Sequence, residues 1–510
     1  MNFLSKMLSR GWVSALGILA TADLAHGDVR LGTPFEDHAV LQRDKPLPVW
    51  GWADPGERVR VTLGDAAPVE TTTAADGHWR VTLPPRPASA TPLNLVAEGT
   101  SNSVAVRDVL VGEVWLCAGQ SNMEWRLRFA ATGETDVAGA DFPQIRQLKV
   151  FRHPRTNRQD DAPADWAVCS PATAGDFSAV GFHFARELWR SLHVPIGLIN
   201  CSHGNSSVEA WMSAEALTSA PEFNVVADRW AEVMARHPAA LARYEAALER
   251  WKADSTTGVQ PRKKPNPPIG PNHQQQPSAL FNGMIAPLLP TALRGFIWYQ
   301  GESNARRADE YEKLFEALIR QWRHDFEAPE APFFWVQLPG LDAMPPTTTH
   351  DDWIALREAL TASLEVPATG QAVAIDVGDR SDIHPLRKRE VGERLARLAR
   401  HRVYGEMVED SGPQCMTAVV KPGGVELEFS HTGGGLAFGG DPLQAFELAG
   451  EDGRFAAVTT VDILAESRLS LRAASVPRPA FVRYAWRAYP TGWLVNAAGL
   501  PAAPFARRIE

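Results

Sequence analysis

Only four cysteines occur in 510 residues, Cys117, Cys169, Cys201 and Cys415. They are too few and too scattered to staple a fold, and none has the paired spacing of a zinc site. A single disulfide among them stays open. Concentrated positive charge is equally scarce. The formal net charge is −9, and the one short basic cluster, Arg262-Lys263-Lys264, lies in a proline-rich stretch without interleaved aromatics. A phosphate backbone needs a dense basic face, so nucleic acid is not an expected partner. Long apolar runs are missing as well. The segment Gly11–Ala22 is apolar but too short to cross a bilayer. Lys6 and Arg10 precede it and the small-x-small triplet Ala25-His26-Gly27 follows it, so residues 1–27 read as a cleaved export signal. No cysteine follows the cut, which argues against a lipid anchor. The mature chain is therefore expected to be exported, periplasmic or extracellular, and free of the membrane.

What is present suits a globular protein: 45% of residues are hydrophobic and 22% charged. The length predicts about three domains. Residues 28–107 show no helical period. Alternating segments such as Arg58–Leu63 and His78–Leu83 are separated by Gly, Pro and Asp turns, the pattern of a small antiparallel β domain. The same texture returns over 409–510, where Val425–Phe429 and Phe481–Tyr484 are expected strands. Between them, residues 108–408 alternate strands with amphipathic helices. Five apolar runs are expected strands: Val114–Cys117, Ile196–Cys201, Gly295–Tyr299, Phe333–Leu338 and Ala372–Val377. A helix with Tyr311, Leu314, Phe315, Leu318, Ile319 and Trp322 on one face lies among them. Such alternation predicts an α/β fold, a parallel sheet with helices on both faces. Ligands then bind beyond the carboxyl ends of the strands. Residues about 214–277 interrupt the alternation with a polar helical stretch and a proline-rich loop. This insertion borders the crevice or covers the surface; surface cover is the expectation.

The residues after these runs carry the chemistry. Val114–Cys117 leads into Gly119-Gln120-Ser121-Asn122. A serine hydroxyl becomes a nucleophile only with an adjacent base, a group that orients the base, and donors for the oxyanion. Ser121 stands where a helix is expected to start, so it is either a nucleophile with its own N–H aimed at an anion or an ordinary helix cap. Of fourteen histidines, only His203 and His384 follow directly on expected core strands. His384 has Asp382 two residues before it and Asp379 five before. Gly204 offers a backbone N–H, and Gln300 a side-chain amide.

The blocks Gly119-Gln120-Ser121-Asn122-Met123-Glu124-Trp125, Trp298-Tyr299-Gln300-Gly301-Glu302-Ser303-Asn304 and Asp382-Ile383-His384-Pro385 resemble the sialate O-acetylesterase family, within the wider SGNH hydrolases. Glu209-Ala210-Trp211-Met212-Ser213 and Phe281-Asn282-Gly283-Met284-Ile285-Ala286-Pro287 carry the same resemblance. It implies a three-layer SGNH-like sheet domain flanked by two β domains, and a carbohydrate acetylesterase that needs neither metal nor organic cofactor. It implies Ser121 as nucleophile, His384 as base and Asp382 as its partner. Backbone N–H groups of Ser121 and Gly204 would form the oxyanion hole with the Gln300 amide, or with Asn304 in reserve. Two positions depart from the general pattern. Ser381 stands three before the histidine, where SGNH enzymes have the aspartate, so the orienting acceptor is Asp382, Asp379 or a backbone carbonyl. The second block reads Ser202-His203-Gly204-Asn205, where relatives often have a bulky aromatic and Gly-Gly. The expected partner is an acetylated glycan or sialic acid. A rival from another class is a non-catalytic carbohydrate-binding protein, since seventeen tryptophans and two β domains suit sugar stacking. A serine peptidase or lipase fits less well, because the serine lacks the Gly-x-Ser-x-Gly turn.

Overall fold

The computed structural model describes residues 28–256 and 263–510, and the predicted export signal lies outside the described residues. No helix among the described residues is long and apolar enough to cross a membrane. Hydrophobic side chains gather into three cores. One lies near the amino end around Val49, Val61, Trp79 and Leu95. The largest lies in the middle, and the third is built mainly from the last hundred residues around Leu427, Phe446, Leu469 and Tyr484. Trp115, Trp211, Trp298, Trp322, Trp335 and Trp353 are all less than 2% exposed. These tryptophans pack the interior and offer no sugar platform. The four cysteines are unpaired.

The middle core is organised by an 11-stranded sheet. Its main path runs Ala164–Cys169, Phe142–Val150, Ile196–Ser202, Ser103–Gly119, Gly295–Tyr299, Phe333–Gln337 and Thr369–Val373. From Phe142–Val150 onward the strands are parallel, and Ala164–Cys169 closes the edge antiparallel. The sheet is thus mixed, whereas the sequence suggested a wholly parallel one. Phe142–Val150 was not among the five expected strands because it carries Arg146, Gln147 and Lys149. Burial there is tolerated because distant groups satisfy the polar atoms. Arg146 Nη1 donates to the His38 carbonyl at 3.0 Å, and Gln147 Oε1 accepts from the Ser178 N–H at 3.0 Å.

Strand Ser103–Gly119 has 17 residues and serves two cores. Its first half pairs antiparallel with Ser89–Glu98, and its second half lies between Ile196–Ser202 and Gly295–Tyr299. The boundary expected at 107/108 therefore falls inside one unbroken strand. Every residue of Ile196–Ser202, Gly295–Tyr299, Phe333–Gln337 and Thr369–Val373 is buried, so both sheet faces are covered. Helix Ala179–Leu192 packs on Lys388–Arg402, and Ala308–Asp325 packs on His350–Ala362. In Ala308–Asp325 the buried positions include all six apolar residues of the expected stripe.

Gly119 pairs with both Ser202 and Tyr299 across the two interfaces of its strand. Three strands therefore end level, and the loops carrying Ser121, Gly204 and Gln300 leave from one rim. Within 214–277 a helix spans Asn224–Thr256 with Pro238 inside it. The segment does more than cover the surface. Gln275 Nε2 donates to the Asn205 carbonyl at 3.2 Å, and Trp230 and Arg229 line a cavity with Ser207 and Ser303. The insertion thus borders the rim as well as covering the surface.

Candidate active site

The chain leaves its longest strand through Gly119, at φ 135°. A Cβ there would stand 2.2 Å from the Tyr299 carbonyl oxygen, so only glycine fits this turn. Gln120 then takes the cap position and Ser121 opens the short helix Ser121–Glu124. Ser121 is therefore not the cap. Its N–H has no acceptor within the helix, and its hydroxyl meets an imidazole: His384 Nε2 lies 2.9 Å from Ser121 Oγ across 263 positions of sequence.

His384 sits in the loop after strand Thr369–Val373. Its Nδ1 faces Asp382 Oδ1 at 3.2 Å, and its backbone N–H donates to the same oxygen at 2.8 Å. Asp379 does not face the imidazole. Its Oδ1 accepts from the backbone N–H groups of Ser381 and Asp382 and from the Ser381 hydroxyl, which shapes the loop. Of the acceptors left open by the sequence, Asp382 is the one in place. The tautomer with hydrogen on Nδ1 leaves Nε2 free to accept the serine proton. Burial lowers the His384 pKa, as does Lys388, while Asp382 works against both. Trp125 stacks on the ring, with centroids 5.2 Å apart and planes 19° from parallel. His203, the other histidine after a core strand, turns Nδ1 to the Gly204 carbonyl oxygen at 2.9 Å, within its own loop.

The expected oxyanion donors divide. A Cβ on Gly204 would lie 3.4 Å from Ser121 Cβ, so this loop abuts the serine. Its N–H, however, donates to Glu124 Oε2 at 3.0 Å, a carboxylate gripped by Arg152 through bonds of 2.7 and 2.6 Å. Gln300 is a correction. It is fully buried, and Nε2 donates to the Ser206 carbonyl at 3.0 Å and to Asn304 Oδ1 at 2.8 Å. Its Oε1 accepts from the Tyr311 hydroxyl at 2.9 Å. Both amide hydrogens are engaged, so none remains for an oxyanion. Asn304 belongs to the same buried network, accepting from the Val208 N–H and donating to Glu209 Oε2. Gln300 and Asn304 brace the neighbouring loop. The sequence shows an amide at a strand end but not what its hydrogens meet.

A cavity of about 710 Å³ opens on this rim beside Glu124, lined by Arg126, Lys149, Arg152, Asp165 and Phe177 among others. Burial depresses the Lys149 pKa, Glu124 acting in the opposite direction. Another cavity, of about 540 Å³, lies at the amino ends of the strands, beside Pro332 and Ala368. A parallel sheet places ligands at the carboxyl ends, which favours the cavity beside Glu124.

Comparison with known proteins gives the family of the chain. The profile of the family described as carbohydrate esterase, sialic acid-specific acetylesterase, matches residues 111–252 and 272–401. Sialate O-acetylesterase of Homo sapiens is 31% identical over 432 residues, covering 77% of this chain and 74% of that protein. The Mus musculus protein of the same name is 30% identical over 441 residues, covering 78% and 79%. A solved structure of a carbohydrate acetylesterase from Xanthomonas citri shares 38% identity at a TM-score of 0.79, covering 94% of this chain and 99% of that one. The strand Ser103–Gly119 and the loops bearing Ser121, Gly204, Gln300 and His384 all lie in or run into the matched segments. The chain belongs to the sialic acid-specific acetylesterase family of carbohydrate esterases.

Proposed function

We propose that this chain is an exported serine esterase that removes O-acetyl groups from sugars on an SGNH-like three-layer domain. The contact of 2.9 Å between Ser121 Oγ and His384 Nε2 carries the reading. Ser121 Oγ attacks the acetyl carbonyl carbon while its proton passes to His384 Nε2. The developing oxyanion faces the Ser121 N–H, and the Gly204 N–H joins it when Glu124 releases that hydrogen to rest on Arg152 alone. Collapse breaks the bond between the acyl carbon and the sugar oxygen, and the imidazolium proton goes to that oxygen. Water, deprotonated by His384, then attacks the acetyl-serine; acetate leaves and the serine regains its hydrogen. These steps balance without a metal or an organic cofactor. The cavity beside Glu124 is the seat of the sugar, an acetylated glycan or a sialic acid. The test is acetate release from an aryl acetate and from a panel of acetylated glycans, by wild type and Ser121→Ala. Equal rates for the two proteins would favour the carbohydrate-binding alternative.

Two milder effects follow from the same geometry. Asp382 is 58% exposed at its side chain, so solvent shares its task of stabilising the imidazolium. Asp382→Asn is expected to lower kcat by roughly ten- to a hundredfold, less than for a buried triad aspartate. A loss beyond about 10⁴-fold would mean that the loop closes over this carboxylate. The base must also be neutral to act. Because the His384 pKa is lowered from 6.5, its neutral fraction survives further into acid. The acid limb of kcat/KM should therefore lie below pH 6.5, and a pH–rate profile with that limb at higher pH contradicts the assignment of His384.

A further inference from the structure

The residues flanking the reacting pair are joined by a buried network that the acetyl-transfer steps leave unused. Asn122 follows Ser121, and Ile383 precedes His384. Asn122 Nδ2 donates to the Ile383 carbonyl at 3.0 Å and to Glu302 Oε1 at 2.5 Å, while its Oδ1 accepts from the Lys388 ammonium. Asn122, Glu302 and Lys388 are all buried. An amide with an ammonium at its oxygen and a carboxylate at its nitrogen has one orientation, because the flipped amide opposes both charges. Glu302 comes from the turn after strand Gly295–Tyr299, and Lys388 opens helix Lys388–Arg402. Lys388 Nζ also lies 5.7 Å from the ring centre of Trp125, the indole that covers His384, and 5.5 Å from that of Tyr299.

We propose that Asn122, Glu302 and Lys388 are positioning residues, a strut that sets the His384 loop against Ser121 while the Lys388 cation opposes charge on the imidazole. This rests on the reading of Ser121 and His384 as the reacting pair. The charged and titratable groups facing Lys388 are Glu302, Asp382 and Tyr299; those facing His384 are Asp382 and Lys388. Burial brings Lys388 down to about 7, against the pull of Glu302 and Asp382. The acceptor Asn122 Oδ1 and the carboxylates of Glu302 and Asp382 favour the ammonium form of Lys388. Geometry and charge can be removed separately. Loss of the Asn122 amide frees the Ile383 carbonyl but keeps the cation. Loss of the Lys388 cation removes one contribution that lowers the imidazole pKa, so that pKa rises.

Asn122→Ala is expected to lower kcat about 10- to 100-fold, as for a small misplacement of a reacting group, with KM within about threefold and the acid limb in place. Lys388→Met, an unbranched apolar replacement without the charge, should move the His384 titration upward by roughly half to one pH unit. Should the unbalanced Glu302 prevent folding, Lys388→Met/Glu302→Gln removes both charges and keeps an acceptor for Asn122. The titration is followed by ¹⁵N NMR of the imidazole, assigned with His384→Gln, so it is visible whether or not an acetate is hydrolysed. A shift seen in a protein without Ser121-dependent hydrolysis supports the strut and removes the esterase reading. A His384 titration unmoved or moved to lower pH in the Lys388 variants overturns the proposal, as does Asn122→Ala with kcat within about twofold of wild type.

Discussion

Ser121→Ala is expected to lower Ser121-dependent acetate release by roughly 10⁴- to 10⁶-fold, the scale set by removing one member of a cooperating nucleophile and base. The size of the effect follows from how the hydroxyl is held. Its hydrogen-bond partner is an imidazole whose pKa is lowered by burial, which favours the neutral form that the proposed mechanism needs. In the proposed mechanism the imidazole without that oxygen has only water to deprotonate, and no acyl-enzyme forms. His384→Ala is expected to cost nearly as much. The double variant should be scarcely worse than either single one, because the two side chains act as one unit. Multiplicative losses in the double variant would show that the residues act independently. An Ser121→Ala protein with undiminished turnover would remove Ser121 from the reaction altogether. Circular dichroism of the variants separates chemistry from misfolding, since the hydroxyl is only half-buried and its loss leaves no sizeable cavity.

The second large effect concerns stability. Arg357, on helix His350–Ala362, is 1% exposed and meets no carboxylate among the described residues. Its guanidinium donates instead to four carbonyl oxygens, those of Leu338 at 2.9 Å, Pro339 at 2.6 Å, Arg487 at 2.8 Å and Ala488 at 2.7 Å. Two belong to the loop after strand Phe333–Gln337 and two to the carboxyl-terminal region. One side chain therefore joins the sheet core to the last β region. Arg357→Met removes all these donors and leaves carbonyls dry, at about 1–3 kcal/mol for each one unsatisfied. After partial relaxation the net loss should be on the order of 3–5 kcal/mol, the scale of breaking a buried polar network. A fall in Tm of roughly 5–15 °C is expected, with earlier proteolytic release of the carboxyl-terminal segment. Lysine is no substitute, since one ammonium cannot reach four acceptors in the guanidinium plane. If Arg357→Met melts within about 2 °C of wild type, the junction is held by its apolar contacts.

The differences between expectation and structure share one cause. Apolar strands and the helix Ala308–Asp325 were legible because burial selects side chains that any sequence displays. Strand Phe142–Val150 was not, because its buried Arg146 and Gln147 are tolerated through partners far away in the chain. Ser121 and His384 were legible as residue types placed just after core strands. Gln300 was legible as an amide but not as one already spent on Ser206 and Asn304. The choice between Asp382 and Asp379 depended on the turn that Asp379 itself builds.

By itself, then, the sequence determined the alternation of strands and helices, the family and the pair of groups at the rim, because local periodicity and residue chemistry are properties of short segments. Tertiary structure alone decided which polar hydrogens are already engaged, that the insertion borders the rim, and that Asn122, Glu302 and Lys388 meet although Asn122 and Lys388 stand 266 positions apart. The physical reason is that a hydrogen bond in a buried site depends on position and direction to within a few tenths of an ångström. Only the packing of the whole chain sets that geometry.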